Sequence, residues 1–308
     1  MPDLKTPVSS ENGWVCSDIK VPGKMVIITG ANTGMGFWTA VDLARREAKV
    51  IIACRSDEKA QDAKIKIINE AKCSEENVIA KVLDLASFAS IRKFAEDINT
   101  NEERLDVLIN NAGVWVCPES KTEDEFETHF GVNYLGPFLL THLLLDLLRK
   151  SAPSRILLLA SNAYKYGSIK FNDLNATRGY DASTAYNQSK LAIVFYNNSL
   201  AKELEGSGVT VNNVDPGFVK TDMQRYINEP GSFITKTFVK VHQWLVTWKT
   251  AQHGAQCSVY CAVAPELENI SGRYFKDCQV ESLSNIAKDE VIAKKLWDIS
   301  MKLTKLKE

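Results

Sequence analysis

A tyrosine and a lysine stand four residues apart, Tyr186 and Lys190, in the stretch AYNQSK that opens a long apolar segment. On an α-helix, residues i and i+4 lie on one face a turn apart, so the phenol and the ammonium would be neighbours. A free phenol titrates near pH ~10, and a nearby positive charge lowers the pKa of a tyrosine. A tyrosine tuned in this way can exchange a proton with a substrate oxygen near neutral pH. Such pairs also occur on ordinary helix surfaces, so the interpretation depends on the elements that would position this one.

Short aliphatic runs alternate with amphipathic stretches along most of the chain, which is typical of a parallel sheet with helices on both faces and right-handed crossovers. Strands are predicted at 25–30, 49–54, 77–84, 105–110, 155–161, 209–215 and 272–277. Helices are predicted at 34–46, 57–72, 87–100, 122–150, 186–205, 250–264 and 287–304. We therefore predict one doubly wound α/β domain with a sheet of about seven strands over residues 24–308. A polar arm, residues 1–23, precedes it, and residues 216–249 form an insertion.

Composition narrows the classes of function. The 308 residues are 45% hydrophobic and 24% charged with a net charge of −1, which gives no reason to expect a nucleic-acid partner. The four histidines have no metal-ligand spacing, so no metal site is predicted. The seven cysteines form no C-x-x-C pair, which favours reduced thiols in a reducing compartment. The N-terminus has no apolar core typical of a signal peptide or membrane span, and the apolar run at 138–148 is interpreted as a core helix.

The loop after the first predicted strand is rich in glycine. Ligands of an open parallel sheet bind beyond the carboxyl ends of its strands. Glycines there allow a tight turn and let the backbone approach a pyrophosphate at a helix N-terminus. The spacing G-x-x-x-G-x-G differs from the common G-x-G-x-x-G, and an ordinary glycine-rich turn is the alternative. The predicted phosphate loop contains Gly30, Asn32, Thr33, Gly34, Met35 and Gly36.

The residues that follow the second and third strands predict the adenosine end of a cofactor site. Arg55 follows the second strand where an acidic residue would bind the ribose diol of NAD. A guanidinium suits a 2′-phosphate, so NADP(H) is favoured, although a surface arginine is the alternative. Asp84 and Leu85 follow the third strand, where the carboxylate could accept from the adenine amino group.

The fourth and fifth strands end in further candidates. Asn111, Ala112 and Gly113 would allow close approach to the cofactor, and asparagine side chains can tie strand ends together. Asn133 lies inside a predicted helix, where it is either an exposed accident or the site of a kink. Ser161 could hydrogen-bond a substrate carbonyl, although a lone serine at a strand end is usually a turn residue.

Taken in order, these features resemble the short-chain dehydrogenase/reductase superfamily, from about residue 24 to residue 278. The motifs are TGxxxGxG (29–36), D-L (84–85), N-N-A-G (110–113), Asn133, Ser161, YxxxK (186–190) and P-G-x-V-x-T (216–221). Longer stretches, among them PGKMVIITGANTGMG and SGRYFKDC, are similar to the retinol dehydrogenase branch, whose members mostly use NADP(H). The resemblance implies a Rossmann-type fold.

The resemblance also implies a role for each motif residue. Tyr186 would be the general acid/base, Lys190 would lower its pKa and bind the nicotinamide ribose, and Ser161 would orient the carbonyl. Asn133 would hold a water of the proton relay. The residues expected to close over the nicotinamide and phosphates are Pro216, Gly217, Val219 and Thr221. The implied function is NADP(H)-dependent interconversion of a lipophilic aldehyde or ketone and its alcohol; the alternative is a non-catalytic NADP(H)-binding sensor.

Three peripheral expectations complete the prediction. Aromatic residues and lysines at 224–249 predict a lid over a lipophilic substrate, with core packing or peripheral membrane contact as alternatives. Many relatives carry an N-terminal membrane helix where this chain has a polar arm, so a cytoplasmic protein is expected, with peripheral contact to the endoplasmic reticulum as the alternative. Relatives often pair through the helices at 122–150 and 186–205, which makes a homodimer one expectation. Asp215 stands where the branch often has histidine, which leaves the polarity of the substrate site open.

Overall fold

The central element is a sheet in which the chain order reverses beside the first strand. The computed structural model describes residues 15–16, 18–220 and 249–306. The strands are β1 (Met25–Thr29), β2 (Lys49–Cys54), β3 (Val78–Val82), β4 (Val107–Asn110), β5 (Ser154–Leu159), β6 (Val209–Asp215), β7 (Tyr274–Lys276) and β8 (Gln279–Val280). Their order is β3-β2-β1-β4-β5-β6-β7-β8. Strands β1 to β7 are parallel and β8 pairs antiparallel with β7. The crevice between β1 and β4 is therefore the expected ligand position.

The predicted strands are confirmed, and most of them are short runs of apolar residues buried between two helical layers; the edge strand β3 is only partly buried. All five residues of β1 are buried, and so are all seven of β6. The sheet has one strand more than the seven predicted. Strand β8 has two exposed residues, too few to produce an alternating pattern in a sequence.

Apart from the first, the helices of the described residues begin at a side chain that caps the first turn. The helices are α1 (Gly34–Arg45), α2 (Asp57–Ala71), α3 (Phe88–Asn101), α4 (Thr128–Lys150), α5 (Ala182–Glu203), α6 (Ala251–Val263) and α7 (Glu290–Leu303). Asp181 accepts a hydrogen bond from the Thr184 amide and so starts α5 four residues before the predicted 186. Helix α4 starts at Thr128 rather than at 122. The preceding residues form a turn in which Thr122 N–H donates to Phe126 O at 2.8 Å.

Helix α4 contains a π-helical turn, Gly131–Leu135, at the predicted irregular position of Asn133. Of the helices in the described ranges, α4 is long and apolar enough to cross a membrane, but 78% of its apolar window is buried inside the protein. The prediction of a core helix at 138–148 agrees with this burial. The apolar side chains of α4 instead form the centre of one of the two cores that flank the sheet.

The C-terminal helix α7 covers part of α4 and α5. The ring centroid of Trp297 lies 5.5 Å from that of Phe138 on α4 and 5.9 Å from that of Tyr196 on α5. The hydroxyls of Tyr134 and Ser300 are 2.7 Å apart. The homodimer through α4 and α5 stays a prediction, and any such interface would have to accommodate α7.

The described part of the polar arm is attached to α1. The buried guanidinium of Arg46 donates to Val15 O at 2.7 Å and to Ile19 O at 2.9 Å, and it pairs with Asp42 on its own helix. Val15 N–H donates to the side chain of Gln256 on α6 at 2.8 Å. These residues therefore extend the packed domain upstream of residue 24.

Candidate active site

A cavity of about 690 Å³ opens at the carboxyl ends of β1 to β4. Twelve of the residues predicted to bind a cofactor line it: Gly30, Asn32, Thr33, Gly34, Met35, Gly36, Arg55, Asp84, Leu85, Asn111, Ala112 and Gly113. The topology thus brings four separate loops of the chain to one place. Ser56, Lys59, Val114, Cys117 and Val132 also line the cavity and were not predicted.

The floor of the cavity requires glycine. Gly30 has φ +66°, and a Cβ there would lie 2.9 Å from the Cβ of Ala112. A Cβ at Gly36 would lie 2.5 Å from Nδ2 of Asn111 and 2.6 Å from Gly30 O. Contacts this short would force the backbone apart. The bare backbone beside the N-terminus of α1 is a cradle that fits a pyrophosphate.

Asn111 ties the two strands of the crevice together, as predicted for this motif. Its Nδ2 donates to Thr29 O at 2.8 Å, and the Ala112 amide donates to the hydroxyl of Thr29 at 2.9 Å. These bonds hold the ends of β1 and β4 in register and keep the wall of the cradle rigid.

The far end of the cavity carries two basic side chains. Arg55 and Lys59 are exposed and lie at the N-terminus of α2, where Ser56 accepts from the Lys59 amide at 3.3 Å. Oδ1 of Asp84 accepts from the Ala86 amide at 2.9 Å and so holds the turn after β3. Lys59 was not predicted because it lies in the first turn of a helix rather than at the end of a strand. Its i+4 spacing from Arg55 was the available signal.

The three predicted catalytic side chains converge beside this cavity. Tyr186 and Lys190 are 8% and 5% exposed on α5, and Nζ of Lys190 lies 5.7 Å from the centre of the Tyr186 ring. Ser161 follows β5, and its side chain lowers the pKa of Tyr186 as a hydrogen-bonding neighbour of the phenol. The helical spacing of Tyr186 and Lys190 and the adjacency of β5 to α5 produce this arrangement.

Burial is the largest influence on the pKa values of the pair, and the expectation that Lys190 lowers the pKa of Tyr186 stays a prediction. Burial raises the pKa of Tyr186 to about 12; the hydrogen bond from Ser161 opposes this, and the charge of Asp215 adds to it. Burial lowers the pKa of Lys190 to about 8, and Asp215 opposes that shift. The lysine has another partner, since its Nζ donates to Leu159 O at 2.8 Å. The protein's own groups thus keep Tyr186 protonated and able to donate.

Asn133 braces the site from the π-helical turn of α4. Its Oδ1 accepts from the Val114 amide at 2.8 Å, and its Nδ2 donates to Val114 O and to the Ser189 hydroxyl, each at 3.0 Å. The Ser189 hydroxyl donates in turn to the backbone carbonyl of Tyr186 at 2.7 Å. The Asn133 side chain therefore joins the loop after β4 to α5 next to Tyr186. Its role in holding a relay water stays a prediction.

The loop after β6 closes the other side. Asp215 is buried and accepts from the Gly217 amide at 2.9 Å and from the Tyr274 hydroxyl at 2.8 Å, so it supports the loop internally. The proposed involvement of Pro216 and Gly217 with a cofactor stays a prediction. Thr221 and most of the predicted lid, including residues 224–248, lie outside the described residues.

Val219 connects this loop to the glycine cradle and to the end of the insertion. It forms a parallel bridge with Lys249, and the Lys249 amide donates to Phe218 O at 2.9 Å. A Cβ at Gly254 would lie 2.6 Å from Val219 and 3.1 Å from Met35. The absence of a side chain at Gly254 therefore lets Val219 and Met35 sit over the start of α6, next to the cradle.

A second group of titratable side chains next to Tyr186 was not predicted. The ring centroids of His129 and Trp115 lie 6.1 Å and 6.3 Å from that of Tyr186. Burial lowers the pKa of His129, but hydrogen bonds to Cys117 and Glu127 outweigh burial and raise it to about 9. Cys117, Glu127 and His129 have no regular spacing in the sequence; the fold of the 115–129 segment brings them together. All seven cysteines are free thiols in the structure.

A glycine cradle at a sheet crossover, together with a buried tyrosine and lysine and a partly buried serine, is the arrangement of a nicotinamide-dependent oxidoreductase. Residues 24–231 match the family model described as short chain dehydrogenase. The chain is 48% identical over 289 residues to retinol dehydrogenase 14 of Homo sapiens, covering 90% of this chain and 85% of the relative. It is 49% identical over 296 residues to human retinol dehydrogenase 13, covering 96% and 88%. The chain belongs to the short-chain dehydrogenase family, in the branch of these retinol dehydrogenases.

Solved structures agree with this assignment. A crystal structure of an uncharacterized protein from Mycobacterium Paratuberculosis superposes with a TM-score of 0.75 at 31% identity, covering 95% of this chain and 98% of the other. The Pseudomonas aeruginosa RhlG/NADP active-site complex superposes with a TM-score of 0.65 at 26% identity, covering 83% and 95%. The predicted family and fold class are therefore confirmed.

Proposed function

We propose that this protein is an NADP(H)-dependent oxidoreductase that interconverts a lipophilic aldehyde or ketone, of the retinal type, and its alcohol. The observation that carries the proposal is the buried pair of Tyr186 and Lys190, with Nζ of Lys190 5.7 Å from the centre of the Tyr186 ring, in a fold that also forms a glycine-lined cavity at its strand ends. Relatives at 48% and 49% identity are named retinol dehydrogenases, which supports this substrate class.

The residues of this chain would position the substrate and exchange a proton with it. Ser161 orients the carbonyl oxygen and donates a hydrogen bond to the charge that develops on it. Tyr186 passes its proton to the same oxygen, or removes a proton from the alcohol in the reverse direction. Lys190 provides a cationic group that stabilises the phenolate left behind. When bound, the nicotinamide supplies or accepts the hydride.

The preference for NADP(H) over NAD(H) rests on the basic end of the cavity. Arg55 stands directly after β2, and Lys59 faces the same cavity from the first turn of α2. Two cations at a helix N-terminus stabilise a phosphate dianion better than a neutral ribose hydroxyl. The RhlG/NADP complex among the similar structures is consistent with this preference.

Three finer expectations accompany the proposal. A lid at 224–249 would enclose the lipophilic part of the substrate, and its aromatic residues and lysines would suit contact with a membrane surface. The protein would then be cytoplasmic and peripheral on the endoplasmic reticulum. A homodimer through α4 and α5 remains the family expectation.

The test is NADPH consumption by the full chain with a panel of aldehydes that includes retinal and straight-chain aldehydes of increasing length. We expect turnover to rise with the length of the apolar chain. Tight NADPH binding without turnover of any aldehyde would favour the non-catalytic sensor. Turnover of short polar aldehydes alone would contradict the substrate class.

A further inference from the structure

Three buried side chains next to Tyr186 form a thiol–imidazole–carboxylate chain. Nδ1 of His129 lies 2.7 Å from Oε1 of Glu127, and Nε2 of His129 lies 3.5 Å from Sγ of Cys117. The exposed fractions of Cys117, His129 and Glu127 are 4%, 0% and 2%. A nucleophile beside a base that a third group orients is the arrangement of activated nucleophiles in covalent catalysis. The proposed hydride and proton transfer uses none of the three.

Glu127 holds the imidazole in one orientation. Its Oε1 also accepts from the His129 amide at 2.8 Å, and its Oε2 accepts from the Phe130 amide at 2.8 Å. Both carboxylate oxygens are thus engaged at the first turn of α4. With the carboxylate fixed in this way, the imidazole cannot turn without breaking the bond between Nδ1 and Oε1, so Nε2 stays directed at Cys117.

The loop that carries Cys117 is also held, and it is strained. The Tyr180 hydroxyl donates to Cys117 O at 2.6 Å, and the Cys117 amide donates to Nε2 of His129 at 3.4 Å. Val116, a β-branched residue, has φ +48°, a left-handed conformation that is strained for such a side chain. Such a conformation persists only where the surroundings enforce it, and here it places the thiol against the imidazole.

The residue that carries the thiol also lines a cavity that a small molecule can enter. Cys117 lines the same cavity as the glycine cradle, and the His129 ring lies 6.1 Å from the ring of Tyr186, centre to centre. An aldehyde admitted for reduction at Tyr186 would therefore come close to a nucleophilic sulfur. A saturated aldehyde offers that sulfur only its carbonyl carbon, whereas a conjugated aldehyde also offers an electrophilic β-carbon.

We propose that Cys117 is a covalent addition site for α,β-unsaturated aldehydes. The proton of the thiol resides on Nε2 of His129 as Sγ attacks the β-carbon. A carbon–sulfur bond forms, the carbon–carbon π bond breaks, and its electrons form an enolate. The proton on Nε2 then passes to the α-carbon, which restores the aldehyde and leaves a thioether. The step needs no oxidant, reductant or cofactor, so its success or failure is independent of the proposed reductase activity.

The chain contains a matched control thiol. Cys54 lines the same cavity and is 2% exposed. Burial raises the pKa of Cys54 to about 11, and its hydrogen bonds come from the backbone amides of Ala31 and Asn32. Both cysteines are buried and line the cavity, but only Cys117 has the imidazole of His129 beside its sulfur. The ratio of their reaction rates therefore measures the effect of His129.

The experiment treats the full chain with 2-nonenal in the absence of cofactor, with nonanal as the saturated control. Borohydride stops the reaction, and peptide mass spectrometry follows the occupancy of each cysteine with time. We expect Cys117 to react on the order of a hundredfold faster than Cys54, and nonanal to leave no stable cysteine adduct. Equal rates at Cys117 and Cys54 would overturn the proposal.

Two variants test the part played by the imidazole. We expect His129→Gln to bring the Cys117 rate down to that of Cys54 while the rates of the remaining cysteines stay the same. Glu127→Gln should give an intermediate rate, because the amide still accepts a hydrogen bond but carries no charge. Circular dichroism checks that each variant is folded. An unchanged Cys117 rate in a folded His129→Gln protein would also overturn the proposal; if that variant does not fold, Glu127→Gln decides in the same way.

Discussion

The two ends of the site differ in what forms them: backbone at one end and side chains at the other. The phosphate end is bare backbone, in which Gly30 and Gly36 leave no room for a Cβ and Asn111 ties the strand ends together. The catalytic end consists of buried titratable side chains, Tyr186 and Lys190, whose pKa values are displaced in opposite directions. Binding at the first end depends on shape and on a helix N-terminus, whereas chemistry at the second depends on burial and on neighbouring charges. Substitutions at the two ends should therefore separate cofactor affinity from turnover.

The largest difference between the effect on turnover and the effect on cofactor affinity is expected for Tyr186→Phe. The variant loses the donor hydroxyl but keeps the ring, so kcat should fall by about 10³-fold while the Kd for NADPH stays the same. Aldehyde-dependent NADPH oxidation and fluorescence titration with NADPH measure the two quantities. Tyr166→Phe is the matched control, because Tyr166 is 80% exposed and should change neither. Retained turnover in Tyr186→Phe would contradict the assigned role.

The opposite separation is expected for Gly36→Ala. The added Cβ would meet Asn111 and Gly30 O, so the cradle must open, at a cost of about 1–3 kcal/mol in stability and a weakening of NADPH binding that exceeds the loss in kcat. Gly206→Ala is the control: its φ of +77° is also strained, but the space around it is open. That variant should unfold at lower denaturant without a change in NADPH affinity. Equal loss of affinity in both variants would show that the effect is general destabilisation.

A more selective change is expected at the basic end of the cavity. Arg55→Gln removes one charge-assisted hydrogen bond of about 1.5–3 kcal/mol, so the Kd for NADPH should rise about 10- to 100-fold while that for NADH changes little. Arg149→Gln, on the exposed last turn of α4, is the control. Equal affinities of the unmodified protein for NADPH and NADH would refute the inference from Arg55.

The smallest effect is expected for Asp215→Asn, which sharpens the account of the catalytic end. Asp215 raises the pKa of both Tyr186 and Lys190, so removing its charge should lower both. Reduction needs protonated Tyr186 and fails as pH rises through that pKa; the alkaline limb of kcat/KM should therefore move to lower pH. The control is Asp146→Asn, whose side chain is fully exposed. A shift to higher pH would contradict the assigned sign.

The phosphate end, which is formed by backbone, was easier to predict from the sequence than the catalytic end, which is formed by side chains. Glycine spacing and strand-end position are local properties, so twelve cofactor residues could be assigned to one cavity before the fold was known. The pKa values of Tyr186 and Lys190 depend on burial and on the Asp215 carboxylate, neither of which the i+4 spacing reveals. The hydrogen bond from the Lys190 ammonium to the Leu159 carbonyl likewise depends on the tertiary fold and could not be predicted from the spacing.

The residues that sequence reasoning missed were those joined only by the tertiary fold. Cys117 and His129 meet because the strained backbone at Val116 and the late start of α4 bring them together. The short antiparallel strand β8 has no periodicity of its own. Interactions of this kind leave no regular spacing along the chain, so a pattern search does not find them.

The bridge between Val219 and Lys249 fixes the two ends of the chain segment that contains the proposed lid. Both ends of the intervening segment are anchored to the same frame, next to Met35 and the phosphate cradle. The entropy of closing a loop grows only slowly with its length, so insertions or deletions between these anchors should cost little stability. Exchanging this segment between relatives should therefore transfer substrate preference as a unit and leave the hydride and proton chemistry intact.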